Sequence, residues 1–249
     1  MPIKVPTATG YKNVKDIKVS NGDGTYTNIK RVIQRQVDGT DKTIWQRNVQ
    51  EYGLVFTGTQ AIDTRVTNRN MMRVAADIVM TPVTANANNP RVVYAARQAG
   101  DNSSSHFFFY QDVGGVSRFH FGTSLPVPRE TAPFGERLLI EQNRNEFFIN
   151  GILFGASATT TLLNVTRLIL GNAGWSTTTN TFVYTHWFIG IVYSFKVYVS
   201  DILQRDFVPV PQGSSMYSSL PAPSNCMWDK VTEEYFENAG TGQFGIIEE

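Results

Sequence analysis

In Tyr193-Ser194-Phe195-Lys196-Val197-Tyr198-Val199, residues 193, 195, 197 and 199 form one apolar face, while 194 and 196 point the other way. Shorter runs with the same period, rich in β-branched and aromatic residues and bounded by Gly, Pro, Asn or Asp, recur almost from end to end. They fall at 78–80, 91–97, 106–111, 118–121, 147–149 and 167–170. Apolar stripes at helical spacing are scarce, so the pattern predicts an all-β fold. Most neighbouring runs are close enough to pair antiparallel.

Two turns fix connectivity. Asn150-Gly151 lies between Phe147-Phe148-Ile149 and Ile152-Leu153-Phe154, and a type I′ turn needs positive φ at both central positions, so 146–155 is a hairpin. Asp112-Val113-Gly114-Gly115 returns 106–111 onto 116–121, a Phe-rich hairpin expected at the centre of the core. The rival reading is a short helix over 136–148 with Leu138, Leu139, Ile140 and Phe147 as its stripe; the β-rich neighbours and the Asn-Gly turn argue against it.

The first 48 residues read as a separate β module. Ile17 and Val19 alternate with Lys, and a turn at Asn21-Gly22-Asp23-Gly24 follows; a run over 29–37, a turn at Asp38-Gly39 and Thr43-Ile44-Trp45 complete a meander of three or four strands. Its halves are loosely alike, each a basic strand, a Gly turn and another strand. So few residues bury little core, so the module is expected to pack on a partner, a particle or the main domain. At the other end, Pro209, Pro211, Pro221 and Pro223 predict a linker, followed by a closing segment with Trp228, Tyr235, Phe236 and Phe244.

With 22 Lys+Arg against 21 Asp+Glu, the chain lacks the electrostatic footprint of a nucleic-acid binder or of a protein adsorbed to anionic membranes. The single Cys226 makes neither an intramolecular disulfide nor a zinc cluster, which suits a reducing cytoplasm. No secretion signal and no membrane span is expected: the start has no apolar core, and Gly190 and Ser194 interrupt the longest apolar stretch.

Candidate chemistry is sparse. None of the three histidines, His106, His120 and His186, stands at a metal-ligand spacing from another, and Cys226 has no His nearby. A retaining glycosidase needs carboxylates about 5–5.5 Å apart. Glu136, Glu141 and Glu146 are spaced so that successive ones face opposite sides of a strand, and the Glu-x-Asp-x-x-Glu pattern of sandwich glucanases is absent. Asn21-Gly22-Asp23-Gly24-Thr25 lacks the later carboxylate and the helices of a calcium loop, and reads as a hairpin turn. The expected role is therefore non-enzymatic recognition. Polar loops at 98–105 and 171–180 supply candidate ligand-binding residues: Asp101 and Asn102, with His106 just after them, and Asn172 and Trp175. Amide side chains hydrogen-bond sugar hydroxyls and an indole offers an apolar face to a pyranose; the plainer reading is a pair of solvated loops with a partly buried Trp. No cofactor is expected.

Phe56-Thr57-Gly58-Thr59-Gln60-Ala61-Ile62-Asp63-Thr64 resembles the opening of the laminin-G-like, concanavalin-like sandwich domains common in bacteriophage structural proteins. Four further segments fit that family in order: Phe148-Ile149-Asn150-Gly151, Ile191-Val192-Tyr193-Ser194-Phe195-Lys196-Val197-Tyr198, Arg205-Asp206-Phe207-Val208-Pro209 and Asn238-Ala239-Gly240-Thr241-Gly242-Gln243-Phe244. The departures are Cys226-Met227-Trp228-Asp229, where Gly-Leu-Tyr-Asp is usual, and Arg65, where Gly is common.

The resemblance implies a jelly-roll sandwich over 49–249, preceded by an attachment module over 1–48. It also implies a virion protein, such as a tail or head fibre or a capsid decoration, assembled in the host cytoplasm and released with the particle. The implied partners are other virion proteins bound through the N-terminal module, sister subunits in a homo-oligomer, with a trimer favoured, and host-surface glycans. Calcium often sits at the rim of such sandwiches, and here only single residues such as Asp63 and Asp101 are available for it.

Overall fold

The computed structural model describes the strands of residues 1–50, then residues 51–67, 71–81, 91–96, 106–111, 117–122, 135–157, 166–172, 175–176, 181–182 and 186–249. The chain divides into two compact units, Met1–Gln50 and Glu51–Glu249. Among the described residues there is no helix, and hence none long and apolar enough to cross a membrane.

In the first unit, β1 (Lys4–Thr7) pairs with β2 (Gly10–Asn13), β3 (Ile17–Ser20) with β4 (Tyr26–Ile29), and β5 (Arg31–Arg35) with β6 (Asp41–Gln46). The expected meander is thus three separate two-stranded hairpins. The turn proposed at 21–25 lies outside the described residues.

The second unit begins with β7 (Tyr52–Thr57), β8 (Ile62–Thr67), β9 (Met72–Met80), β10 (Arg91–Ala96), β11 (His106–Gln111) and β12 (Ser117–Gly122). It continues through β13 (Arg137–Asn143), β14 (Glu146–Ile149), β15 (Ile152–Ala156), β16 (Arg167–Leu170), β17 (Trp175–Ser176) and β18 (Thr181–Phe182). It ends with β19 (Ile189–Val199), β20 (Ile202–Val210), β21 (Cys226–Asp229), β22 (Glu234–Phe236) and β23 (Gly245–Glu248). One sheet has the order β12-β11-β10-β16-β8. The other has the order β15-β14-β13-β9-β19-β20-β21-β22, with β7 also on β19 and β23 on β7.

The two antiparallel sheets form a jelly-roll-like sandwich, because alternate residues of both enter one core. Met72, Val74, Ala76, Ile78 and Met80 of β9 are buried, and the residues between them are not. Phe107, Phe109, Phe119 and Phe121 of the β11/β12 hairpin enter the core as expected, while its turn lies outside the described residues. Phe119 stacks on Phe109 at 4.4 Å and, across to the other sheet, on Phe147 at 4.7 Å. Each such ring contributes about 1.5–3 kcal/mol by leaving water. One polar link also spans the core: the Tyr94 hydroxyl donates to Gln142 Oε1 at 2.9 Å, and Gln142 Nε2 donates to the His120 carbonyl at 2.8 Å. Burial pushes the Tyr94 phenol well above its ordinary range.

The Asn-Gly turn is formed as expected, with φ of 52° at Asn150 and 77° at Gly151, and residues 137–143 are strand, which removes the helical alternative. Two expectations are corrected. Tyr193 does not share a face with Phe195 and Val197, because the β19/β9 register shifts between Val192 and Ser194. That bulge turns Tyr193 to the outer face, where the Arg137 guanidinium lies 3.8 Å from its ring centre. The proline-rich stretch is no linker either. Pro209 pairs with Met227 inside the sheet. Residues 211–225 fold back on themselves, the Gly213 N–H donating to the Ala222 carbonyl and the Ala222 N–H to the Ser214 carbonyl, both at 2.9 Å.

Candidate functional site

The outer face of the larger sheet carries a groove of about 610 Å³, and strand register explains its shape. Phe148 of β14 stands opposite Glu141 of β13, Glu141 opposite Ala75 of β9, and Ala75 opposite Lys196 of β19. The methyl of Ala75 is too short to fill the row, so a floor opens between a Glu141 wall and a Lys196 wall. Leu139, 59% exposed, and Phe148 make the first wall apolar beside the carboxylate, and Asn143 and Ser194 add polar groups to the lining. Ser194 faces the groove because of the β19 bulge, which turns two successive side chains outward.

The groove's polar groups have hydrogen-bonding capacity to spare. Among the described residues, Glu141 accepts from Arg73 Nη1 at 3.3 Å through Oε1 alone. Lys196 Nζ lies 3.8 Å from Asp206 Oδ1, too far for a hydrogen bond, and among the described residues that buried oxygen has no donor. The Asn143 amide and the Ser194 hydroxyl bond no other described residue.

Next to the groove the chemistry is closed. Arg137 donates from Nε to Asp77 Oδ1 at 2.8 Å and from Nη2 to Asp77 Oδ2 at 2.7 Å, and also pairs with Glu51 and Glu249. Tyr193, 4% exposed, donates its hydroxyl to Glu249. Burial and this bond push its phenol up to about 12, whereas the hydrogen bond from Arg137 holds Glu51 below its ordinary value. This network pins the terminal strand β23 to the sheet.

Of the residues singled out in the sequence, Asp101 and Asn102 lie outside the described residues. His106 opens β11 opposite Gly122, and Trp175 opens β17 opposite Phe182. Asn172 is fully buried and bridges to Trp187, so its side chain is not open to solvent. Asp63, considered for calcium, holds Arg167 at 2.6 Å and accepts the Arg65 N–H at 2.9 Å. Among the described residues no three His, Cys, Asp or Glu side chains cluster as a metal site would require. The groove residues were missed because they come from four strands, and only the pairing register brings them together. Glu141 was weighed as one of three glutamates along the chain, when its neighbours across the sheet decide its setting.

No protein-family model and no curated protein matches the sequence. Among solved structures, the chain is similar to a Trypanosoma rangeli sialidase in complex with sialic acid, with 12% identity and a TM-score of 0.43 over 74% of this chain and 33% of that one. It is also similar to a heptameric SAP-like pentraxin from Limulus polyphemus, with 11% identity and a TM-score of 0.39 over 82% of this chain and 90% of that one. The matched part is about a third of the sialidase. The expectation of a non-enzymatic protein is corrected here, since a sialidase is an enzyme and stands among the similar structures. Likeness at this level assigns no activity to this chain.

Proposed function

We propose that the protein is a surface component of a bacteriophage particle, a fibre or appendage attached through residues 1–48, whose sandwich binds host-surface glycans in the groove over Ala75. The observation that carries the binding reading is the groove itself: a small-residue floor between an apolar wall and polar groups with unspent donors and acceptors. Sugars offer the complement, hydroxyls that both donate and accept around an apolar ring face. The virion reading is supported by the family resemblance of five segments in order across residues 56–244. A trimer belongs to the proposal, because an under-sized β module gains from association.

A second reading, a capsid or tail decoration with a particle-stabilising role, is favoured by Ile152 and Leu153, 73% and 56% exposed on the edge strand β15. Electron cryo-microscopy of the particle, followed by a glycan array, separates the two. Host adhesion requires the chain to be on the particle with the groove open to solvent and glycans retained on the array. A groove packed flat against neighbouring subunits overturns it in favour of decoration.

A further inference from the structure

Resting on the glycan reading, we infer that the groove selects an uncharged sugar bearing an N-acyl amino group, with Glu141 taking the amide N–H, Lys196 the amide oxygen, and Leu139 and Phe148 the acyl methyl. The stereochemistry of a planar trans amide carries the argument. Its N–H and C=O point in opposite directions, and the acyl methyl lies on the same side as the N–H. A ligand amide lying across the floor therefore needs an acceptor with an apolar surface beside it on one wall, and a donor on the other. Glu141 and Phe148 are register partners, so the carboxylate and the ring share one wall, and Leu139 precedes Glu141 by two on the same face. Lys196, with no acceptor at hydrogen-bond distance among the described residues, stands on the opposite wall.

The width agrees. Glu141 and Lys196 are both register partners of Ala75, so their strands lie two spacings apart, roughly 9.6 Å. That leaves room for one planar group with a hydrogen bond of about 2.9 Å on either side. Charge around the slot also balances, because Arg73 and Lys196 face Glu141 and Asp206. A net-neutral rim draws neither acidic nor basic polymers through its field, and selection falls to hydrogen-bond geometry.

The test is calorimetric titration of the full-length protein with N-acetylglucosamine trimer, cellotriose and galacturonic acid trimer at low and high salt. The expected result is at least tenfold tighter binding of the N-acetylated trimer than of cellotriose, nearly independent of salt. Ala75→Leu, which fills the floor, abolishes binding, and Glu141→Ala removes the preference. Lys196→Ala gives the same loss of preference should the Glu141 variant fail to fold. Equal affinity for N-acetylated and plain trimers overturns the inference and leaves glycan binding standing. Tighter, salt-sensitive binding of the acidic trimer overturns it in favour of charge recognition. No binding to any of the three overturns the inference and the glycan reading together.

Discussion

Arg65 adopts a φ of 58°, a left-handed conformation that costs an L-residue with a side chain about 1–2 kcal/mol. Glycine is common at this position in the family the sequence resembles, and the structure gives the physical reason. The arginine offsets part of the strain with its side chain, which pairs with Glu234 at 3.1 Å and lies 4.6 Å from the Phe236 ring centre. The arginine is exposed in both contacts, although Phe236 is buried, and each contributes about 0.5–1 kcal/mol. Arg65→Gly therefore loses the contacts and relieves the strain, and its stability in urea denaturation is expected to stay within about 1 kcal/mol of the parent. Arg65→Ala loses the contacts and keeps the strain, so it is expected to fall about 1 kcal/mol below the glycine variant. An alanine variant equal to or more stable than the glycine variant refutes the account. The local break at Arg65 was visible in the sequence as a departure from a motif. The reversal of Tyr193 was not, because a bulge changes which face a residue takes without changing the alternation that names the strand.

At the scale of elements, local signals were read well and non-local ones poorly. The 146–155 hairpin was legible because Asn150 and Gly151 determine their own turn. The segment 211–225 was misread as a linker because its order comes from contacts remote in sequence: Asn225 Nδ2 donates to the Phe244 carbonyl at 2.9 Å, and Tyr217 stacks on Trp228 at 6.2 Å. This loop lies on a small second core of Val210, Ala222, Cys226 and Trp228. Cys226 is fully buried there, and burial pushes its thiol up to about 12. Native protein at about pH 8 is thus expected to resist a thiol reagent, because the thiolate is the reactive form and the sulfur is covered. Tyr217→Ala removes the ring over Trp228 without touching the strand, and is expected to raise the labelling rate at least tenfold while the unfolding midpoint moves little. Rapid labelling of the unaltered protein would mean that 211–225 is not packed down.

The whole sandwich closes where the first and last strands of the second unit, β7 and β23, meet. Gln60, 2% exposed, accepts the Thr57 N–H through Oε1 at 2.8 Å and donates from Nε2 to the Gln243 carbonyl at 2.8 Å. Asn238 accepts the Ala61 N–H at 2.9 Å and donates to the Thr241 and Gly242 carbonyls. A methyl built at Gly240 would sit 2.2 Å from the Thr59 carbonyl oxygen, so only glycine lets the two segments approach. These are the two outermost segments of the family resemblance, which is why that resemblance gave the fold where composition gave only its class. The groove was not legible in the same way, since Ala75, Leu139 and Glu141 fall between the motifs, Phe148, Ser194 and Lys196 fall in two separate ones, and only register brings them together. If the clasp is a single cooperative contact, removing either amide already releases the closing segment. Gln60→Ala and Asn238→Ala are each expected to cost about 1–3 kcal/mol, and the double variant less than their sum by about 0.5–3 kcal/mol in a double-mutant cycle. Strict additivity would mean that 57–61 and 238–243 are held independently. In that case the hydrogen bonds of β23 to β7, with Arg137 holding Glu51 and Glu249, would be what keeps the sandwich shut.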